Sequence, residues 1–197
     1  MPLEEADEVS RETAERLECL TALIINWNPT IRLVGSACLD EIWTRHIQDS
    51  LQLRRFILLD AGNAADIGSG AGFPGLVLAI AMNRHFYLIE SDQRKAAFLT
   101  EAARLTNATV TIVPQRTQAL QMSFNLLTAR AFASVTEILA ATYHLLAPGA
   151  VVLLPKGRSA QIELEAARKN WSMTVEKFAS VTSPDARILR ISRISRA

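Results

Sequence analysis

A glycine-rich turn set between two apolar runs constrains this chain more than any other feature. It reads Asp66-Ile67-Gly68-Ser69-Gly70-Ala71-Gly72-Phe73-Pro74-Gly75, with Ala64-Ala65 ahead, a helix-like Leu76 to Met82 behind, and Glu90 closing the next apolar run. Strand, glycine turn, helix, strand and acid in that order are the layout of a nucleotide-binding βαβ unit. Glycine accepts positive φ and has no Cβ, so a ligand can lie directly on the backbone. Pro74 suits the first turn of a helix, where its missing N–H would be unpaired anyway. Glu90 stands where a carboxylate accepts hydrogen bonds from both hydroxyls of a ribose.

The turn also discriminates among nucleotides. A G-x-G-x-x-G fingerprint would need glycine at Phe73, and the turn carries no Lys to meet a pyrophosphate. Asp66 is expected to place an anion at the mouth of the loop, which repels phosphates and suits an ammonium and a sulfonium. S-adenosylmethionine fits that requirement and NAD fits poorly. The plainer alternative is a βα turn that binds nothing; the position of Glu90 weighs against it.

The rest of the chain repeats the strand–helix alternation. Strands are expected near 64–67, 86–90, 109–113, 124–129 and 150–155, with helices near 74–82, 92–106, 134–146 and 159–170 between and after them. Two further β-like stretches, Met173 to Val181 and Ile188 to Ile194, are close enough to form a hairpin. Alternation of this kind implies a parallel, doubly wound α/β sheet, and a terminal antiparallel pair completes the seven-stranded, Rossmann-like class I methyltransferase layout. Ahead of it, Val9, Leu17, Leu20, Leu23 and Ile24 recur at helical spacing from about Glu8, and Trp27-Asn28-Pro29 is expected to end that helix. A second helix is expected from Leu39 to Phe56, with Ile42, Trp43, Ile47 and Leu51 on one face. Residues 1–60 are therefore read as an N-terminal helical cap and 61–197 as the cofactor-binding core, in one compact unit.

Composition narrows the function. No apolar run is long enough to span a membrane, and the acidic stretch Glu4 to Glu18 is unlike a signal peptide. Cys19 and Cys38 are the only cysteines and lack metal-ligand spacing, so they read as reduced thiols of a cytoplasmic, metal-free protein. Net charge is +1, but the cap is acidic and the core basic, and 17 of the 21 basic residues are arginine. Arginine's planar fork suits phosphates and bases, a mild pointer toward nucleic acid. A GC-rich coding bias would give the same composition.

Ligands of open α/β sheets bind beyond the carboxyl ends of the strands. The turn 68–75, Glu90-Ser91, Gln115-Arg116-Thr117 and Thr128-Ala129-Arg130 should meet there. Arg130 would sit where a transferred methyl emerges, or else pair with an acid on the surface. Lys156 and Arg158 flank Gly157 as a candidate phosphate-gripping rim, or as a solvated turn. His46 and Asp49, three apart on the second helix, read more readily as a structural pair than as a catalyst. Neither cysteine falls at the crevice, which disfavours cytosine C5 methylation. The strand-four loop Thr128-Ala129-Arg130-Ala131-Phe132 lacks an Asn/Asp-Pro-Pro-aromatic motif for amine acceptors. A cation and an aromatic ring suit an acceptor that is already nucleophilic, such as guanine N7.

Together these residues resemble the RsmG (GidB) methyltransferases. The resemblance runs through Trp27-Asn28, Arg45-His46-Ile47-x-Asp49-Ser50, the glycine turn, Arg130-Ala131-Phe132-Ala133-Ser134 and Lys156-Gly157. It implies methylation of a guanine N7 in 16S rRNA of the small ribosomal subunit, with S-adenosyl-L-methionine as cofactor and a monomeric enzyme. Asp66, Gly68, Gly70, Phe73, Glu90, Thr117, Gln118 and Arg130 are the cofactor-site expectations, taken from the crevice and the resemblance together. Arg130 would position the methyl transfer without any general base, and His46, Arg116 and Lys156 would face RNA. Arg32, Gln118 and Asn125 depart from the family pattern. A small-molecule methyltransferase and a non-catalytic ribosome-assembly module are the competing readings.

Overall fold

The computed structural model describes residues 9–35, 39, 41–58 and 62–197. Cys38 and the expected cap–core boundary at 60/61 lie outside the described residues.

The first helix, α1 (Arg11–Ile31), begins where Ser10 turns extended and its hydroxyl accepts the Thr13 N–H. A side-chain oxygen there satisfies one of the otherwise orphaned first-turn donors. Leu17, Leu20 and Ile24 are fully buried along one face. Pro29 was expected to end this helix near Trp27-Asn28, and it does not: it sits inside the last turn. The turn survives because Asn28 holds it from both sides. Its carbonyl accepts the Arg32 N–H at 2.9 Å and its side-chain Oδ1 accepts the Val34 N–H at 2.8 Å. Arg32 closes the helix in the left-handed region at φ 45°.

The second helical run has mixed geometry: a π-helical segment, Trp43–Gln48, then α2 (Asp49–Leu51), then a 3-10 turn, Gln52–Phe56. Ile42, Ile47 and Leu51 point inward. A π segment winds wider than an α-helix and so changes which residues share a face.

The sheet follows. β1 (Ala64–Ile67), β2 (Phe86–Ile89), β3 (Val110–Val113), β4 (Phe124–Ala129), β5 (Leu146–Lys156), β6 (Trp171–Ala179) and β7 (Arg187–Arg196) lie in the order β3-β2-β1-β4-β5-β7-β6. The first five run parallel; β7 is antiparallel to both β5 and β6. α3 (Gly75–Met82), α4 (Gln93–Leu105), α5 (Val135–Thr142) and α6 (Ala160–Ala167) cover the faces. Strand order reverses between β1 and β4, which opens a crevice at their carboxyl ends.

The cap is not a separate body. Leu17, Leu20, Ile24, Ile47 and Leu53 belong to the same buried cluster as Leu76, Val77, Phe98 and Leu99. Arg16 of α1 reaches the end of α4, donating to the Thr106 and Asn107 carbonyls at 2.7 and 2.8 Å. A cation on those unpaired carbonyls also meets the negative end of the helix dipole.

One close approach sets the depth of the whole turn. A Cβ on Gly75 would fall 2.4 Å from the Asp66 Cβ and 2.7 Å from a Leu88 methyl, so α3 can begin on top of β1 only with glycine there. Gly75→Ala is therefore expected to destabilise the fold by about 1–3 kcal/mol, the usual range for overpacking. Urea unfolding reads this as a lower midpoint at unchanged slope; a wild-type midpoint would contradict the assigned contact.

Candidate active site

Past Ile67 the chain folds back on β2, and the Gly68 and Ser69 N–H groups donate to the Ile89 carbonyl at 2.9 and 3.1 Å. Glu90 follows directly. Its Oε2 accepts the Gly70 N–H at 2.9 Å and its Oε1 the Asp92 N–H at 2.8 Å. Two backbone donors orient this carboxylate, and each oxygen keeps acceptor capacity for a ligand. Asp92 then caps α4, accepting the Arg94 and Lys95 N–H groups.

Around Glu90 lies a cavity of about 320 Å³ lined by Gly68, Gly70, Ile89, Ser91, Lys95, Gln115, Arg116, Thr117, Gln118, Ala131 and Phe132. The turn, the end of β2 and the loop after β3 therefore meet as expected. The fourth segment contributes Ala131 and Phe132 where Thr128 and Arg130 were expected. Gly68, at φ +67°, lets the Phe132 ring lie on the turn: a Cβ there would sit 2.4 Å from the ring.

Asp66 is not at the mouth of the loop. It is the third residue of a strand buried on both faces, and its side chain is fully enclosed beneath Gly75. Its Oδ1 accepts the Thr128 hydroxyl at 2.7 Å, while Oδ2 has no partner of good geometry. Burial pushes its pKa up to about 6, opposed by the Thr128 and Ser69 hydroxyls and the Gly75 amide and reinforced by the Glu90 charge. Enclosed there, Asp66 does not present an anion to a cationic ligand at the mouth of the loop.

Beside this crevice, across Ala131 and Phe132, opens a second cavity of about 1000 Å³ whose lining includes Arg45, His46, Asp49, Arg130, Lys156, Arg158 and Thr182. Arg130 belongs to this side. Its Nε meets Asp49 Oδ2 at 3.2 Å, and its Nη2 donates to the Arg45 carbonyl at 2.8 Å. The other Asp49 oxygen accepts the Gln52 amide and the Thr182 hydroxyl, both at 2.8 Å. Phe73, 7 % exposed, also faces the cap and not the crevice: His46 stacks on it at 4.9 Å and 17°. The Arg130 guanidinium lies 5.9 Å from the same ring.

His46 and Asp49 do not pair, because the π segment between them turns them toward different partners. Neither ring nitrogen of His46 has a hydrogen-bond partner among the described residues. Burial first, then the Arg130 and Arg45 charges, lower its pKa to about 4, so the ring is neutral near pH 7. Lys156 also differs from a phosphate-gripping residue. Its side chain is 9 % exposed, with Nζ 2.9 Å from Glu163 and donating to the Ala133 carbonyl at 2.5 Å. Arg158 is the exposed member, paired with Asp185 at 3.0 Å.

Sequence reasoning missed Asp49 as a junction, and with it Gln52, Thr182 and Glu163. The Arg-His-Ile-x-Asp spacing held a signal, but only the π geometry shows which way each side chain turns. Thr182 and Glu163 carry no signal of their own. Among the described residues no group of three or more His, Cys, Asp or Glu could hold a metal ion, and no helix is long and apolar enough to cross a membrane.

The chain matches the family model for GidB, rRNA small subunit methyltransferase G, over residues 13–190. It is 49% identical over 190 residues to a ribosomal RNA small subunit methyltransferase G of Rhodospirillum centenum, covering 95% of this chain and 87% of that one. The Rhodospirillum rubrum protein of the same name is 46% identical, with 96% and 94% covered. Among solved structures, magnesium protoporphyrin IX methyltransferase of Synechocystis with bound SAM superposes at a TM-score of 0.62 and 16% identity, covering 94% and 98% of the two chains. A ribosomal protein L11 methylase of Lactobacillus delbrueckii gives 0.61 at 16% identity, with 76% and 78% covered. These two likenesses concern the fold.

The buried imidazole predicts a pH signature. A group neutral in the folded state and protonated in the unfolded one adds stability above its unfolded pKa, and that stability is lost as pH falls. For His46 the window runs from 6.5 down to about 4. His46→Phe keeps the stack on Phe73, so its unfolding free energy should fall less than wild type across that window. Parallel curves would show that His46 is not held neutral.

Proposed function

The chain belongs to the GidB family of small-subunit rRNA methyltransferases, and we propose on that premise that it moves a methyl group from S-adenosylmethionine to N7 of a guanine in 16S rRNA. One observation carries this reading: a crevice with an oriented carboxylate opens beside a larger cleft lined by paired charges, and a single two-residue wall separates them. A cofactor and a bulky acceptor can thus approach one point from opposite sides.

The donor set fits the cofactor. Glu90 keeps acceptor capacity for the ribose hydroxyls, and Gly68 and Gly70 let a ligand lie on the turn. Thr117 and Gln118 would border the adenine, with Arg116 at the rim. When bound, the cofactor supplies an electrophilic methyl on a sulfonium. Guanine N7 would present its own lone pair to that methyl. No proton has to leave N7 first, so no residue here is needed as a general base. Holding the two reactants in line supplies the acceleration. Arg130 would hold the acceptor side, and its Asp49 and Arg45 contacts set its direction.

The near-neutral charge of the chain favours a folded ribonucleoprotein over naked RNA as the substrate, since binding to bare RNA relies on a marked basic footprint. We therefore propose the assembled small subunit as acceptor. Phe73 and Asp66 support the site from beneath; His46 and Lys156 shape the cleft from its walls.

Labelled S-adenosylmethionine incubated with small subunits lacking the modification should mark one guanine, at N7. Label on a different atom, or on free nucleosides as readily as on subunits, would overturn the assignment. Arg130→Ala should keep cofactor affinity within about threefold while turnover falls about 100-fold, as expected when a reacting group is misplaced. Equal losses in both would move Arg130 to the cofactor.

A further inference from the structure

The wall between the two cavities contains a large aromatic side chain that the fold leaves uncovered. Phe132 is 43% exposed, and it lines both cavities. One side of its ring rests on Gly68, where a Cβ would come within 2.4 Å. The backbone beneath it is pinned from both directions. Upstream, Arg130 is tied to Asp49 and to the Arg45 carbonyl, and Ala131 is held at φ 50°, in the left-handed region that non-glycine residues rarely occupy. Downstream, Lys156 donates to the Ala133 carbonyl, Glu163 accepts the Val135 N–H at 3.1 Å, and Ser134 forms a capping box with Glu137. These anchors fix the loop and leave the ring exposed.

We propose that Phe132 is the stacking face for the acceptor base. This rests on the methyltransferase reading above. An exposed ring on a fixed backbone offers a π-face at little entropic cost, and every purine has a π-face to match it. Its place on the wall between the cavities puts a stacked base within reach of the cofactor side.

Three variants at one position test this: Phe132→Leu, which keeps bulk without a π-face, Phe132→Trp, which restores one, and Phe132→Ala. Each is measured for cofactor affinity by calorimetry and for kcat and KM on small subunits, with thermal unfolding as a control on folding. Phe132→Leu and Phe132→Ala should retain cofactor affinity and lose roughly 10- to 100-fold in kcat/KM for subunits, the span expected for one lost stacking contact. Phe132→Trp should recover most of it. Wild-type kcat/KM in Phe132→Leu would overturn the stacking role and leave the methyltransferase reading intact, as would a loss confined to cofactor affinity. Absence of transfer by the unaltered chain would overturn both together.

Discussion

The Asp49 carboxylate is the junction on which this architecture depends. It lies on the helical cap, and besides Gln52 one turn on, its partners come from two other places: Thr182 in the β6–β7 connection and Arg130 just past β4. With only 13% of its side chain exposed, it meets a guanidinium that is itself 18% exposed. A charge pair so little hydrated is costly to break from one side, because the remaining charge stays buried without its counterpart. The cap and the sheet are thereby held in one relation, and the large cleft is the space between them.

From that junction the loop after β4 takes its shape. Arg130 turns toward the cap, Ala131 and Phe132 stand between the two cavities, and Lys156 draws the Ala133 carbonyl toward β5. Opposite this wall, the glycine turn folds back on β2 through backbone hydrogen bonds, and the Glu90 carboxylate is oriented by the Gly70 and Asp92 N–H groups. The two halves of the site are thus built by different physics. Close backbone approach makes the crevice; buried charge pairs and stacked rings make the cleft.

Most of the scaffold was legible from apolar periodicity and turn chemistry. The parallel strands, the antiparallel terminal pair and the meeting of Gly68, Glu90 and Thr117 all follow from where apolar runs alternate with glycine and cap residues. What periodicity misses is direction. Pro29 reads as a helix end, but Asn28 carries the chain past it by accepting the Arg32 N–H on its carbonyl and the Val34 N–H on its side chain. Asp66 reads as an exposed anion, whereas a strand covered on both faces encloses it. His46 and Asp49 read as neighbours on an α-helix, and π winding separates them. Lys156 reads as a rim cation until Glu163, seven residues on, turns it inward. In each case the residue type was visible and its partner, distant or locally rewound, was not.

On the proposed function, one wall, Ala131 and Phe132, divides cofactor from acceptor. The most direct measurement is a crystal structure of the chain with S-adenosylmethionine. The account predicts ribose hydroxyls on Glu90 and a methyl group directed past Ala131 and Phe132 into the cleft bounded by Arg130 and His46. A cofactor bound in the large cleft, or a methyl directed away from that wall, would contradict it.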